Sequence, residues 1–539
     1  MIWTRRDLLA AGCFTAAAAA ADPPGFRFVD VTSAAGLGSY RHDNRASGKK
    51  YLPETLGPGC AFLDYDGDGW QDILLLAPLT LLHNNRDGTF RNVTRASGLE
   101  MLSQFALGVA VGDFDNDGFP DVLVTCVGQN RLFRNTGRGT FVDVTNAAGL
   151  MREGFSTSAM WVDYDRDGLL DLFVCNYVKW SPETDVFCSS AGGKQKSYCT
   201  PEAYRGTTCW LYRNLGNGKF EDMTAKAGIF DSSSKSLGVT QLDLDNDGWP
   251  DIFVANDTQP NKLYRNLRNG KFEEVGVAAG VAFSDDGKAR AGMGVDAADL
   301  DDSGLPTLMV TNFQNEMLGL YRASGGGAFS DIAARSEVGR VTRRSLGFGC
   351  FFFDVELDGA LELLVVNGHI DDTIRGTEYA QSPHLFLNRA GKLRDVAAEI
   401  GAEFARPKVG RGAAFGDFDN DGDLDVLVTS NGGGASLYRN DVGTGNRSLR
   451  LRLVGTKSNR DGIGATVRIE YGGRRRGSRT VKSGGSYLSQ SELPVTFGLG
   501  RAARADRVVV QWPSGRVEEQ RNVDAGRYVW TEERGYSRG

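Results

Sequence analysis

A chain of 539 residues is too long for one core of ordinary size unless repeats build it. With 70 glycines and only 15 prolines it needs many tight turns and is neither disordered nor collagen-like, and its four histidines argue against a multi-histidine transition-metal site. The net charge of −7 is uneven: residues 441–539 carry 19 Lys and Arg against 10 Asp and Glu, leaving 42 against 58 before them, so −16 is followed by +9. That step sets a domain boundary near 440 and makes nucleic acid a poor partner for the acidic part.

In chain order, residues 1–21 form an expected export signal. It has two arginines, an Ala/Leu-rich stretch and a small-residue exit, and is too short to remain in a membrane. Thr4-Arg5-Arg6-Asp7-Leu8-Leu9 resembles a twin-arginine signal, which implies export of a folded chain to the periplasm or beyond. No other segment is apolar for long enough to make an integral membrane span.

Residues 22–440 repeat. FVDVTSAAGL (28–37) returns as FRNVTRASGL (90–99), FVDVTNAAGL (141–150) and FEDMTAKAGI (220–229), and in looser form from Phe272, Phe329 and Leu393. Aspartate-rich loops start at 64, 113, 163, 243, 299, 354 and 417. Each follows a short apolar stretch such as ALGVAVGD (106–113) and precedes a β-branched run such as DVLVT (121–125). A third strand such as RLFRN (131–135), WLYRN (210–214) or KLYRN (262–266) comes next. Four short strands per unit of about 50 residues describe a propeller blade. The expected fold is therefore all-β: a seven-bladed β-propeller over 22–440, then a small β domain over 441–539. The first FVDVT strand precedes the first loop and the last blade lacks one, so the N-terminal strand can close the ring. The longest interval holds an insertion at about 177–208.

The loops read as Asp-x-Asp-x-Asp-Gly-x-x-Asp. Clustered carboxylates repel unless a cation neutralises them, and calcium accepts six to eight oxygens in flexible geometry. Five loops keep all four carboxylates: Asp64, Asp66, Asp68, Asp72; Asp113, Asp115, Asp117, Asp121; Asp163, Asp165, Asp167, Asp171; Asp243, Asp245, Asp247, Asp251; and Asp417, Asp419, Asp421, Asp425. Glycine at position 6 permits the bend, position 7 offers a carbonyl, and position 9 closes the shell. The expectation is about five Ca²⁺ ions acting as blade staples. Weak or empty sites are expected at Asp299, whose loop ends in Thr307, and at Asp354, whose loop uses Glu356 and Glu362.

Cys60, Cys126, Cys175 and Cys350 lie in apolar strands and read as buried small hydrophobes. Cys188 and Cys199 lie in the insertion and form the expected disulfide, with Cys209 the next candidate partner.

The repeats, with glycine before the loop and Leu-Tyr-Arg-Asn after it, resemble the FG-GAP/VCBS repeats of integrin-α-type propellers. NRSLRLRLVGTKSNRDGIGATVRI (446–469), GGSYLSQSELPVTFGLG (484–500) and ADRVVVQWPSG (505–515) resemble the ASPIC/UnbV domain. Together they are similar to the layout of bacterial relatives of the cartilage acidic protein family. Thr496 stands where many such domains carry His, so any role of that His is missing here. The resemblance implies an extracellular, calcium-binding, interaction-type protein and supplies no defined reaction.

Two functional classes remain. The first is a monomeric, calcium-stapled adhesion or binding scaffold for extracellular glycan or protein partners. The alternative is a calcium-dependent carbohydrate-active enzyme of polysaccharide lyase or sugar dehydratase type. Its acid–base candidates are His42, near Asp43 and Glu54, and His369, near Asp371 and Asp372. They need to converge on a metal or an arginine cluster. The bland reading is a pair of loop histidines hydrogen-bonded to neighbours, and of Arg474-Arg475-Arg476 a solvated hairpin tip.

Overall fold

A computed structural model describes residues 23–539 other than 45, 101–104, 190–192, 194 and 375; the expected signal over 1–21 lies outside them. Its regular structure is almost all strand. The unit around Asp113 shows the pattern: Phe105–Gly112, Asp121–Gln129, Arg131–Asn135 and Phe141–Asp143 pair in succession, antiparallel. Its first strand is buried along nearly all its length, which is why it reads as a continuous small-apolar run and not as an alternation. Gly108 marks the crowding there, since a Cβ would lie 2.6 Å from the Thr157 carbonyl of the next unit.

Five four-stranded sheets, and an eight-stranded one in which two units are joined through Glu153–Phe155 and Val127–Gln129, make seven such units. The first strands pack round a ring: Cys60–Leu63, Phe105–Gly112, Glu153–Val162, Ser236–Leu242, Gly292–Ala298, Gly347–Phe353, Gly410–Gly416, and back to Cys60–Leu63. Phe26–Asp30 supplies the outer strand of the last unit, antiparallel to Ala435–Val442, with Phe28 opposite Asn440. Both ends of the repeat region thus meet in one sheet, as the missing FVDVT strand implies.

The asparagine of the third strand ties each unit to the one before. Asn135 Nδ2 donates to the Tyr65 carbonyl at 2.7 Å, Asn214 to Phe114 at 2.8 Å, Asn266 to Tyr164 at 2.8 Å, Asn388 to Leu300 at 3.3 Å and Asn440 to Val355 at 2.9 Å. Asn84 closes the series on Phe418 at 2.8 Å. In the remaining unit the motif reads LYRA, and Ala323 has no amide to give.

Residues 447–538 form two further four-stranded sheets, with one parallel pairing between Arg447–Val454 and Gly526–Thr531. They share a core around Leu449, Ile463, Val508, Trp512 and Trp530. This region sits on the face of the ring that carries the aspartate loops. Arg460 N–H donates to Asn116 Oδ1 and Asp113 N–H to Asp461, both at 2.7 Å; Gly498 N–H donates to Asp354 at 2.9 Å. Arg475, of the basic turn read as solvated, is exposed yet donates to the Asp358 carbonyl at 3.1 Å.

Between its strands, residues 481–494 leave this region and run down the centre of the ring. Their main chain meets the first strands in turn: Gly485 N–H on Val239 O, Val295 N–H on Ser486 O, Val109 N–H on Leu488 O, and Phe62 N–H on Gln490 O. Ser483, Ser486 and Ser489 accept the N–H groups of Trp161, Cys350 and Cys60 through their hydroxyls. The innermost strands lack a neighbour toward the axis, so this segment satisfies main-chain groups that the channel would otherwise leave bare. At its far end Tyr487 is fully buried, edge-on to Phe348 at 4.9 Å between ring centres, and donates to the Leu56 carbonyl at 3.2 Å.

Candidate metal centres

The loop between the first two strands has a wiring that five units share, while Asp163 takes only Gly168 N–H and Asp417 takes none. The first carboxylate receives two main-chain N–H groups: Asp113 takes Asp117 at 3.0 Å and Gly118 at 2.7 Å, and Asp64, Asp243, Asp299 and Asp354 repeat this. Position 6 glycine is left-handed throughout, as at Gly118 (φ 97°). Position 4 is left-handed too, and mostly Asn or Asp, the side chains that tolerate it best. Three of these asparagines reach forward to the next loop's glycine carbonyl: Asn116 to Gly168, Asn246 to Gly304 and Asn420 to Gly69. Arg166 makes the same link to Gly248.

The carboxylates converge, though not as the spacing alone suggests. Donor oxygens of Asp64, Asp66 and Asp72 lie within 4.8 Å of one another, as do those of Asp113, Asp115 and Asp121, of Asp163, Asp165 and Asp171, and of Asp243, Asp245 and Asp251. These are positions 1, 3 and 9. Position 5 is outside these four triads, although Asp68 groups with Asp66 and His83. Asp117 and Asp167 each accept their own position-7 N–H and pair with Arg134 and Arg213 of the third strand, both at 2.9 Å. Asp68 pairs with Arg86 at 2.7 Å, Asp247 pairs with Arg268, and Asp421 accepts the Asp423 N–H at 3.0 Å.

Position 9 does more than close a shell. Asp121 accepts Phe114 N–H at 3.1 Å and Asn135 N–H at 2.7 Å, and so locks the loop to the third strand; Asp72, Asp171, Asp251 and Asp425 do the same.

The donor set fits a hard cation. Asp66, Asp163 and Asp165 each keep one buried oxygen with no hydrogen-bond partner, and Asp417 keeps two. Burial pushes the carboxyls up, Asp72 and Asp113 to about 8, and Asp163, Asp251 and Asp417 to about 7; Asp121, Asp171 and Asp425 also rise well above the usual carboxylate range. Buried carboxyls this hard to ionise need a counter-charge to stay anionic at neutral pH.

The last full loop, with Asp417, Asp419, Asp421 and Asp425, holds one residue the motif reading left out. Asp423 at position 7 is buried, has an unpartnered Oδ1, and is raised by burial and its acidic neighbours to about 9. A fifth aspartate inside the motif was the available signal. Arg450 of the C-terminal region stands 3.7 Å from Asp417 and pairs with Glu492, at 2.5 Å for Nη2.

The two altered loops keep the turn but change the donors. Thr307 replaces the position-9 carboxylate, and Asp301 lies 3.5 Å from Arg322. In the other, Glu356 is held by Arg389, and Glu362 gives one oxygen to Val355 N–H while the other has no partner.

The histidine candidates lie together around Arg411. That guanidinium is fully buried and gives its hydrogen bonds to main-chain carbonyls: Thr55, Gly368, Gly410 and His369, at 2.8–3.1 Å. His42 Nδ1 accepts Gly432 N–H at 3.0 Å, and burial with the Arg411 charge brings its pKa down to about 3. His369 is likewise lowered by burial, beside Asp371 N–H at 3.3 Å. The arginine is thus a main-chain staple. The insertion is closed by a Cys188–Cys199 disulfide, and Cys209 is free. Among the described residues no helix is long and apolar enough to cross a membrane.

Comparison with known proteins accords with this geometry. A model described as FG-GAP-like repeat matches residues 64–124, 113–174, 184–254 and 243–310, and one described as ASPIC and UnbV matches 455–537. Cartilage acidic protein 1 of Mus musculus is 25% identical over 496 residues, covering 86% of this chain and 72% of the relative. The Homo sapiens protein is 26% identical over 521 residues, covering 90% of this chain and 64% of its own length. A solved Agrocybe aegerita lectin that recognises non-reducing terminal N-acetylglucosamine aligns with TM-score 0.41 and 15% identity, over 69% of this chain and 88% of the lectin. The chain thus joins FG-GAP-like repeats to a C-terminal ASPIC and UnbV domain, the architecture of cartilage acidic protein 1, to which it is homologous.

Proposed function

We propose that this chain is an exported, calcium-binding β-propeller that serves as a binding scaffold for extracellular glycan or protein partners. The observation that carries the calcium reading is the recurrence of one carboxylate triad at positions 1, 3 and 9 of successive loops, with buried oxygens left unpartnered. Hard oxygen donors in a flexible loop suit Ca²⁺ better than Mg²⁺, which seldom takes an all-protein cage. The five full loops are the proposed sites, with those at Asp299 and Asp354 weak or empty. Export by the twin-arginine route is supported by the Arg5-Arg6 motif and by the disulfide, which belongs in an oxidising compartment.

The scaffold reading draws on what the ring leaves open. One face is covered by residues 447–538 and the channel is filled by 481–494. A second surface, around the insertion, gathers aromatic rings and cations: half-buried Tyr51 rests on the buried Trp180, ring centres 5.3 Å apart, with Lys49 and Lys196 over Tyr51, and Lys50 over Tyr198 at 4.5 Å. Rings and ammonium groups side by side suit sugar faces and acidic substituents. The test offers calcium-loaded protein a panel of acidic and neutral polysaccharides, with and without EDTA, and scores retention and new chain ends together. Retention without new ends is expected. New ends that vanish in His42→Ala or His369→Ala would make the chain an enzyme.

A further inference from the structure

Among the five full loops, the first departs from the rest at the residue before its third-strand asparagine. Its third strand reads TLLHN (80–84), so His83 occupies the place of Arg134, Arg213, Arg265 and Arg439 in the RN motif. In the second and third units that arginine reaches over the loop and neutralises positions 3 and 5 from outside. An imidazole is too short for this. Here Arg86, from the following turn, takes Asp68 instead, at 2.7 Å. His83 is drawn inward.

Its Nδ1 lies 3.3 Å from Asp66 Oδ2 and 3.3 Å from Asp72 Oδ1, yet makes a hydrogen bond to neither, and the residue is only 8% exposed. Asp66 Oδ1 beside it is also buried without a partner. Donor atoms of Asp66, Asp68 and His83 all fall within 4.8 Å of one another and share Asp66 with the Asp64–Asp66–Asp72 group. In the tautomer protonated at Nε2, the buried Nδ1 of His83 and carboxylate oxygens of Asp66 and Asp68 thus offer donors to one small volume. Leaving His83 Nδ1 and Asp66 Oδ1 unsatisfied is costly, and one cation would satisfy both.

Calcium takes oxygen ligands, whereas neutral imidazole suits first-row transition ions, with carboxylates tolerated beside it. We propose that the first loop, in place of the calcium assigned to it above, is a mixed nitrogen–oxygen site that takes a transition dication of the Mn²⁺ or Zn²⁺ class, with His83, Asp66 and Asp68 as ligands and Asp72 beside them. The second, third and fourth triads are oxygen-only. The proposal rests on the metal reading of the loops, but not on calcium being the ion in the others.

The test uses the full chain, stripped with chelator and then dialysed against Zn²⁺ or Mn²⁺ in excess Ca²⁺, with each bound metal counted by mass spectrometry. The expected result is one equivalent of transition metal in the wild type, lost in His83→Arg, which restores the residue of the other repeats. The count of bound calcium should not fall. Copper-loaded protein should show nitrogen hyperfine coupling from a single imidazole, absent in His83→Gln. No retained transition metal in the wild type, or equal retention in both variants with no nitrogen coupling, would overturn the proposal. Calcium absent everywhere, with one zinc retained through His83, would overturn the calcium reading alone.

Discussion

Truncating Tyr487 to alanine should detach the C-terminal region from the ring without unfolding either. Tyr487 stands at the far end of the segment that fills the channel and is fully buried, and its contacts are with the ring: Phe348 edge-on at 4.9 Å and the Leu56 carbonyl at 3.2 Å. Removing a buried aromatic side chain costs about 3–5 kcal/mol. Of this, about 0.5–1.5 kcal/mol belongs to the ring pair and about 1 kcal/mol to the hydroxyl. Tyr487→Phe should therefore cost about 1 kcal/mol, close to the hydroxyl alone. Limited proteolysis read by mass spectrometry checks where the loss falls. Cleavage should rise within 481–494 and at the loops that Arg460 and Gly498 contact, while outer strands such as Phe141–Asp143 stay protected. If Tyr487→Ala leaves both the thermal midpoint and the cleavage pattern unchanged, the channel segment does not hold the two regions together.

Asn135→Ala removes the bond to the Tyr65 carbonyl and leaves that acceptor buried, a loss of about 1–3 kcal/mol seen as a lower denaturation midpoint; Ala323→Gly, in the unit without this bond, should not disturb ring closure. Chelation should lower the thermal midpoint, since cation at a hundred times its dissociation constant stabilises by about 2.7 kcal/mol per site; Asp163→Asn should lower the bound-calcium count by one. The pH response should reverse with calcium. Without the ion, Asp72, Asp113 and Asp163 have folded pKa values raised to about 7–8, so the folded state holds more protons than the unfolded. Chelated protein should then lose stability as pH rises from the ordinary carboxylate range to about 8, and regain it on acidification; with calcium, acidification should destabilise by proton competition. Thermal melts from pH 5 to 8 with and without chelator decide this. Cys188→Ser opens a loop of 11 residues and should cost the insertion roughly 3 kcal/mol, read as nicking within 177–208 with the ring intact.

The repeat was legible because each unit spells its own turn chemistry. Asp-x-Asp-x-Asp-Gly, the β-branched run and Leu-Tyr-Arg-Asn recur in register, and the unpaired FVDVT strand at the start predicts its place beside Ala435–Val442. What escaped were residues whose role lies in another unit. Asn135 reads as a strand-end turn residue, but its amide serves Tyr65, 70 positions away. Position 5 reads as a metal ligand because alternation aims it inward; in the second and third units one arginine of the third strand pairs with positions 3 and 5 together, and nothing in the loop announces this. Residues 481–494 fall in the stretch that reads as part of the C-terminal β domain, and their place in the ring escaped because they bond through main chain and serine hydroxyls to strands whose own pattern carries no mark of an axial partner. The step from −16 to +9 marked a boundary; that the two regions dock is a matter of geometry, with Arg450 beside Asp417 and Arg475 beside Asp358.

That docking bears on how the cations can act. A metal that bridges to a partner needs its loop open to solvent. Here Asp113 donates its main-chain N–H to Asp461, Asp354 accepts Gly498, and Asp417 lies against Arg450 and Glu492, so these loops are covered by the chain's own C-terminal region. Cations bound there would fix loops that form one side of an internal interface. Fixing a loop against a neighbour stabilises both contacts at once, because an ordered loop has already lost the entropy that docking would otherwise cost. Loss of cation should therefore weaken the docking even though it leaves the loop face more negative and the opposing region is basic. The Coulomb gain acts across a hydrated and screened surface, whereas the lost contacts are specific hydrogen bonds to Asn116, Asp354 and the Asp358 carbonyl, which exist only while the loops keep their turns. On the proposed scaffold reading, a partner is expected at the surface around the insertion, where the half-buried Tyr51 and Tyr198 lie away from the covered loops.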